Sequence, residues 1–166
     1  LFMDLMAAAA FSTEKPETDL LDQKPRDPKT KFMDSVMVRS IGISSFGLFA
    51  AVTLAYLFTW YTTKDAVTSQ TVAFFGWLIG HVLLAFNMRS ERQPMFQLGL
   101  TSNRIMLIWA AAVGVFLISI STIPGAQTLM KTTTLTSSQW AMILGATFIG
   151  TFWFEIKKMI SYSNKK

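Results

Sequence analysis

The sequence predicts an all-α protein, a polytopic membrane helix bundle, and three observations carry that expectation. The first is a set of four long apolar runs, at residues 40–60, 70–87, 105–123 and 139–154, in a chain of 166 residues that is 51% hydrophobic. Each run is long enough, or nearly so, to cross a hydrocarbon core of about 30 Å as a helix. The second is a mean hydropathy of +0.39, too apolar for an ordinary soluble domain of this size. The third is the sorting of positive charge around the runs. Of the 15 Lys and Arg, thirteen fall in residues 12–39, in residues 88–104 and in the tail from residue 157, while Lys64 and Lys131 stand alone in the two remaining loops. The positive-inside rule then puts both termini and the middle loop in the cytoplasm of a multi-pass protein of the cell membrane.

Taken in order, residues 1–11 read LFMDLMAAAAF and are helical by propensity. At 1.5 Å per residue they span about 16 Å, roughly half a membrane. This half-helix, with Leu at position 1, leads to the expectation that the sequence starts inside a longer helix. Residues 12–35 carry Pro16, Pro25, Pro28 and mixed charges, which predicts a cytoplasmic loop on the membrane surface. A first full helix over 36–61 ends outside on Trp60 and Tyr61, side chains suited to the interface. After a short outer turn, a second helix over 70–87 returns inward to Asn87. Residues 88–104 form a cytoplasmic loop. A third helix over 105–123 goes out and stops at Pro124. The outer loop holds threonines at 132, 133 and 134. A fourth helix over 139–156 enters with Trp140 and leaves near Trp153, and residues 157–166 are a cytoplasmic tail. The whole, 1–166, is one membrane domain: four full transmembrane helices plus the N-terminal half-helix. Small residues four apart, Gly76 with Gly80, Ser40 with Ser44 and Ala110 with Gly114, let helix backbones approach where lipid supplies no hydrophobic drive.

Composition excludes several classes. With no cysteine, disulfides, thiolate zinc sites and iron–sulfur clusters are out. The net charge of +5 is explained by topology, because the basic residues flank membrane helices and form no stripe interleaved with aromatics, so no nucleic-acid partner is expected. The first ten residues lack the basic leader of a signal peptide. No cofactor is expected. The partners are the lipid bilayer and other membrane helices or subunits of a larger complex, with lipid or pigment contacts.

Three ionisable groups lie in or near the apolar segments: Asp4, His81 and Glu155. Such groups are costly in lipid and mark function by default. His81, the one histidine, sits six residues before Asn87, about 9 Å inside the second helix. It is read either as an ion, proton or ligand position or as a neutral imidazole hydrogen-bonded to a neighbouring helix. Asp4 is read either as a carboxylate on a cation path or as a solvated group near a terminus. Glu155, within a turn of Lys157 and Lys158, reads as a snorkelling interfacial ion pair. The ten methionines are scattered and suit packing. No Gly-rich phosphate loop and no Ser/His/Asp set is found.

Two cytoplasmic segments, DQKPRDPK at 22–29 and LLAFNMRSER at 83–92, resemble the C-terminal membrane region of P-type cation-transporting ATPases of the calcium-pump type. That family carries a Pro-Pro-Arg-Asp/Ser-Pro-Lys loop after its sixth helix and an Asn-x-Arg/Leu-Ser-Glu segment after its eighth. Ile123 and Pro124, followed by Leu135, Thr136 and Trp140, are similar to the family's ninth helix, outer loop and tenth helix. Glu155 with Lys157 and Lys158 is similar to the close of the tenth. The resemblance covers essentially the whole chain in order.

The resemblance implies that residues 1–11 are the cytoplasmic half of the sixth helix and the four full helices are the seventh to tenth. It also implies what this sequence does not contain: the Asp-Lys-Thr-Gly phosphorylation motif, the nucleotide-binding domain and the actuator domain. The chain is therefore expected not to be an enzyme by itself. The family's sixth helix supplies ion ligands through an Asn-Leu-x-Thr-Asp pattern. Matched residue by residue, its first position is Asp4, and its Thr and Asp positions are Ala7 and Ala8. The eighth-helix ligand position falls on His81. Asp4 and His81 are thus the expected ion-path residues. Two functions follow. In one, the chain is the C-terminal transport domain of a P-type cation pump and buttresses the ion-binding helices. In the other, it is a truncated relic of such a pump, kept as a non-catalytic accessory or scaffold subunit of an energy-transducing or photosynthetic membrane complex.

Overall fold

Seven helices, with no strand among the described residues, make up the computed structural model, which describes residues 2–14, 35–90 and 93–163. Side chains are described within those limits, except at residues 2–4, 36 and 161–163. The helices are α1 (Phe2–Ser12), α2 (Ser35–Thr63), α3 (Ala66–Asn87), α4 (Met95–Leu98), α5 (Arg104–Thr122), α6 (Pro124–Met130) and α7 (Ser137–Ser163). Most of the proline-bearing loop, including DQKPRDPK, lies outside the described residues.

Local chemistry sets the boundaries. Lys64 adopts a left-handed conformation (φ 55°) and closes the turn after α2. Asp65 then caps α3, its carboxylate accepting from the backbone N–H of Val67 at 3.2 Å and of Thr68 at 3.1 Å. That cap starts α3 four residues before the apolar run, because a side-chain acceptor for orphan N–H groups decides where a helix begins. Pro124 both stops α5 and opens α6, since a ring with no N–H is tolerated in a first turn but not in a helix interior. The threonine run folds back on this corner. Thr132 Oγ1 donates to Ile120 O at 2.6 Å, and the Thr133 N–H donates to Thr71 Oγ1 at 3.1 Å, tying the loop to α3.

Among the described residues, three helices are long and apolar enough to cross a membrane: Met37–Thr63, Ala66–Asn87 and Arg104–Thr122. The 27-residue α7 is also long, but Gln139, its Gly and Thr positions and Glu155 dilute its apolar character.

Helices α2, α3 and α7 pack against one another, with Val72, Phe75, Leu78 and Ile143 buried between them and the Phe75 and Trp140 rings 5.3 Å apart. Helix α5 joins from the side, packing on α1 and, less, on α3. The outward faces are apolar: Phe46, Leu54, Ile108, Val115 and Ile149 are all more than 60% exposed. Large apolar side chains turned outward on long helices suit a hydrocarbon surround, not water. Three buried threonine hydroxyls inside the helices are satisfied locally, whereas the Ser44 hydroxyl in α2 is buried with no hydrogen-bond partner among the described residues. Thr59, Thr147 and Thr151 each donate to the carbonyl four residues earlier, at 2.7–2.8 Å.

The backbones of α2 and α7 come close together at Gly47 and Gly150. A Cβ placed on Gly47 would collide with Gly150 O, and one on Gly150 would lie 2.7 Å from Gly47 O. Of the small-residue pairs expected from sequence, Gly76 and Gly80 do face neighbours, Gly76 against Val52, Ile143 and Thr147, and Gly80 against Leu48. Gly114 instead faces open space within 4 Å. Its expected packing role is not met among the described residues, where α5 turns that face away from the other helices.

Candidate functional site

Two buried polar nodes gather at one end of the bundle, where α1 ends, α3 ends, α5 begins and α7 passes. Residues 87–90 and 93–103 contribute to both. Polar side chains in such a place must find partners or cost stability, and these do.

The first node centres on Arg89, whose side chain is fully buried. Its Nε donates to Glu14 Oε2 at 2.9 Å and its Nη2 to Glu14 Oε1 at 2.6 Å, a two-pronged grip on one carboxylate. Nη1 donates to Gly99 O at 3.0 Å and Nη2 also to Ser102 Oγ at 2.5 Å. Asn103 completes the node. Its Nδ2 donates to Glu14 Oε2 and to Ala10 O, both at 2.8 Å, while its Oδ1 accepts from the Met106 N–H at 3.0 Å. One side chain thus satisfies a carbonyl in the last turn of α1 and an N–H in the first turn of α5. The hydrogen bonds from Arg89 hold the Glu14 carboxyl below its ordinary range, against the opposing effect of burial and with help from Asn103.

The second node centres on Glu155 and Lys158 of α7, with Lys158 Nζ 2.6 Å from Glu155 Oε2. Glu155 Oε1 accepts the Met95 N–H at the start of α4. Lys158 donates to the carbonyls of Asn87, Ser90 and Gln93, and Asn87 Nδ2 donates to Thr151 O at 3.0 Å. The Glu155 pair expected at the interface therefore forms with Lys158, but it is buried, not snorkelling. The carbonyls of Asn87, Ser90 and Gln93 close over it, whereas Lys157 remains exposed.

His81 lies half-buried on α3, its ring 5.6 Å from that of Trp77 and, edge-on, 6.4 Å from that of Trp109 on α5. Asp4 lies on the backbone of α1, and its side chain is outside the described residues. Ala7 is buried and Ala8 exposed. Helix α5 is the shared neighbour: α1 packs on it, and His81 faces its Trp109. Among the described residues no group of three or more His, Cys, Asp or Glu is placed to hold a metal ion.

Sequence reasoning passed over Glu14 and Asn103 and took Arg89 as a topological charge and as part of the LLAFNMRSER segment, not as a buried partner. One signal was present: a Glu just after an apolar helix and an Arg just after another, both beside membrane ends, must be paired or solvated.

Comparison with known proteins agrees with this architecture. The family described as "Cation transporting ATPase, C-terminus" matches residues 1–160. A calcium-transporting ATPase of Bacillus subtilis is 27% identical over 162 residues, which is 92% of this chain and 17% of that protein. Calcium-transporting ATPase 1 of Lactococcus lactis is 26% identical over 163 residues, 96% of this chain and 18% of its own length. The plasma membrane calcium-transporting ATPase mca-1 of Caenorhabditis elegans is 28% identical over 172 residues, 94% of this chain and 13% of its own length. The chain therefore spans less than a fifth of each of these relatives.

Proposed function

The chain belongs to the family of cation-transporting ATPase C-termini, and from that premise we propose that it supplies the last membrane helices of a cation pump's transport domain. It does not catalyse by itself. It buttresses the ion-facing helix, and the pump activity needs the phosphorylated and nucleotide-binding parts that the relatives' greater length leaves room for. The relatives reported above are calcium pumps, which favours this reading over a scaffold subunit of another complex.

One observation carries the buttress. The end of α1, the helix that bears Asp4, is fastened at Ala10 and Glu14 by Asn103 and Arg89. These are positioning residues: they touch no ion and act through the placement of α1. Asp4 and His81 are the proposed ion-path positions. Calcium takes six to eight oxygen ligands, so one carboxylate and one imidazole would be completed by other helices of the pump. In this reading α7 is the fourth span, between Trp140 and Trp153, and the buried nodes lie at the cytoplasmic end, as the charge sorting of Lys and Arg supports.

The test is the cation dependence of ATP hydrolysis by the native assembly that holds this chain. Arg89→Gln should raise the half-activating cation concentration several-fold while leaving nucleotide affinity unchanged. An unaltered cation dependence would remove the buttress. His81→Ala should likewise alter cation activation with normal expression, and unchanged activation would take His81 out of the ion path.

A further inference from the structure

Lys158 has surroundings that the pump reading does not use. The residue is 3% exposed, yet it carries a charge at the end of a long flexible stem. Its Nζ meets the carbonyl oxygens of Asn87 at 2.8 Å, Ser90 at 3.2 Å and Gln93 at 3.4 Å. Glu155 Oε2 is the fourth oxygen, at 2.6 Å. The Phe154 ring lies on a further side, its centroid 5.7 Å away. Four oxygens and an aromatic ring thus converge on one positive point.

The chemistry of that cup defines what fills it. Three of its oxygens are neutral carbonyls and one belongs to a carboxylate, so its formal charge balances a single positive charge. Asn87 is the last residue of α3, where unpaired helix carbonyls concentrate negative potential. A calcium site gathers six to eight oxygens at about 2.3–2.6 Å. Sets of backbone carbonyls instead replace the hydration shell of large monovalent cations, and aromatic faces attract the same charge.

We propose that the cup formed by the carbonyls of Asn87, Ser90 and Gln93 with Glu155 of α7 is a monovalent-cation site whose resident cation is the chain's own Lys158 ammonium. The tether keeps the site filled under all ionic conditions, so Asn87, Ser90 and Gln93 stay on α7 without a diffusible ion. With the ammonium removed and Glu155 retained, the cup takes potassium or ammonium ion from solution. A plain ion pair would behave differently, because its loss would respond to ionic strength alone.

The experiment uses the full chain carrying Lys158→Ala in detergent micelles, with thermal unfolding followed in potassium, ammonium and choline chloride at equal ionic strength. In choline the midpoint should fall by roughly 10 °C, the scale expected when one partner of a buried charge pair is removed. Potassium or ammonium should restore it, with a midpoint that climbs with the logarithm of concentration as for any ligand of the folded state. The wild-type chain should respond equally to all three salts. Adding Glu155→Gln to Lys158→Ala removes the charged oxygen and should abolish the rescue. The proposal is overturned if Lys158→Ala behaves alike in the three salts, whether stable in all of them or unfolded in all of them. It is equally overturned if potassium stabilises the wild type as much as the variant.

Discussion

Truncating Arg89 to alanine removes the grip that joins α1 to the start of α5. Four hydrogen bonds are lost, two to Glu14, one to Gly99 O and one to Ser102 Oγ. Breaking a buried charge pair costs about 3–5 kcal/mol when the stranded partner stays unpaired. Glu14 is not fully stranded, because its side chain is 15% exposed and Asn103 still donates to it. The expected loss is therefore near the lower end, about 3 kcal/mol. The assay is reversible unfolding of the full chain in mixed micelles of rising dodecyl sulfate content, followed by circular dichroism. A pH series adds a second readout. The folded-state pKa of Glu14 lies below its ordinary value of 4.5, so its contribution is fully present above that value and is lost as pH falls through the depressed one. The wild type should lose stability across that acid window, and Arg89→Ala should lose less. A destabilisation under about 1 kcal/mol, the scale of an exposed pair, would refute the claim that this node fastens α1.

Three further outcomes are expected from the same kind of measurement. Gly150→Ala puts a Cβ 2.7 Å from Gly47 O and 2.8 Å from the Ala51 Cβ, and should destabilise by about 1–3 kcal/mol, the usual cost of overpacking. Gly114→Ala meets no atom within 4 Å and should be neutral or stabilising, by up to about 1 kcal/mol of helix propensity; a loss would show that this face packs on a partner. Asn103→Ala should cost at least the roughly 1 kcal/mol of a helix N-cap, and hydrogen exchange at the Met106 amide should accelerate, since Asn103 Oδ1 is its acceptor.

The helical membrane character was legible because it rests on long-range averages: apolar run length and the placement of Lys and Arg. The ends of helices were less so. The run that suggested a start at residue 70 says nothing about Asp65, whose carboxylate opens α3, and Pro124 reads equally as a stop and as a first turn. Pairs of glycines on one helix were visible as spacing, whereas Gly47 and Gly150 sit on helices a hundred residues apart, and only packing brings them together. The same limit hid the polar nodes. Glu155 with Lys158 is three residues apart on one helix face and could be read, but Glu14 follows α1 whereas Arg89 and Asn103 lie between α3 and α5. That Arg89 is buried rather than a solvated topological charge depends on Glu14 reaching it.

The central claim is that this chain works as the C-terminal membrane part of a cation pump. The most direct test is the intact mass of the native polypeptide purified from its membrane, with its stoichiometric partners identified. The account predicts a polypeptide several times the 18.6 kDa of this sequence, or a firm complex with one that carries the phosphorylated domain. An 18.6 kDa chain whose stoichiometric partners include no such domain would contradict it.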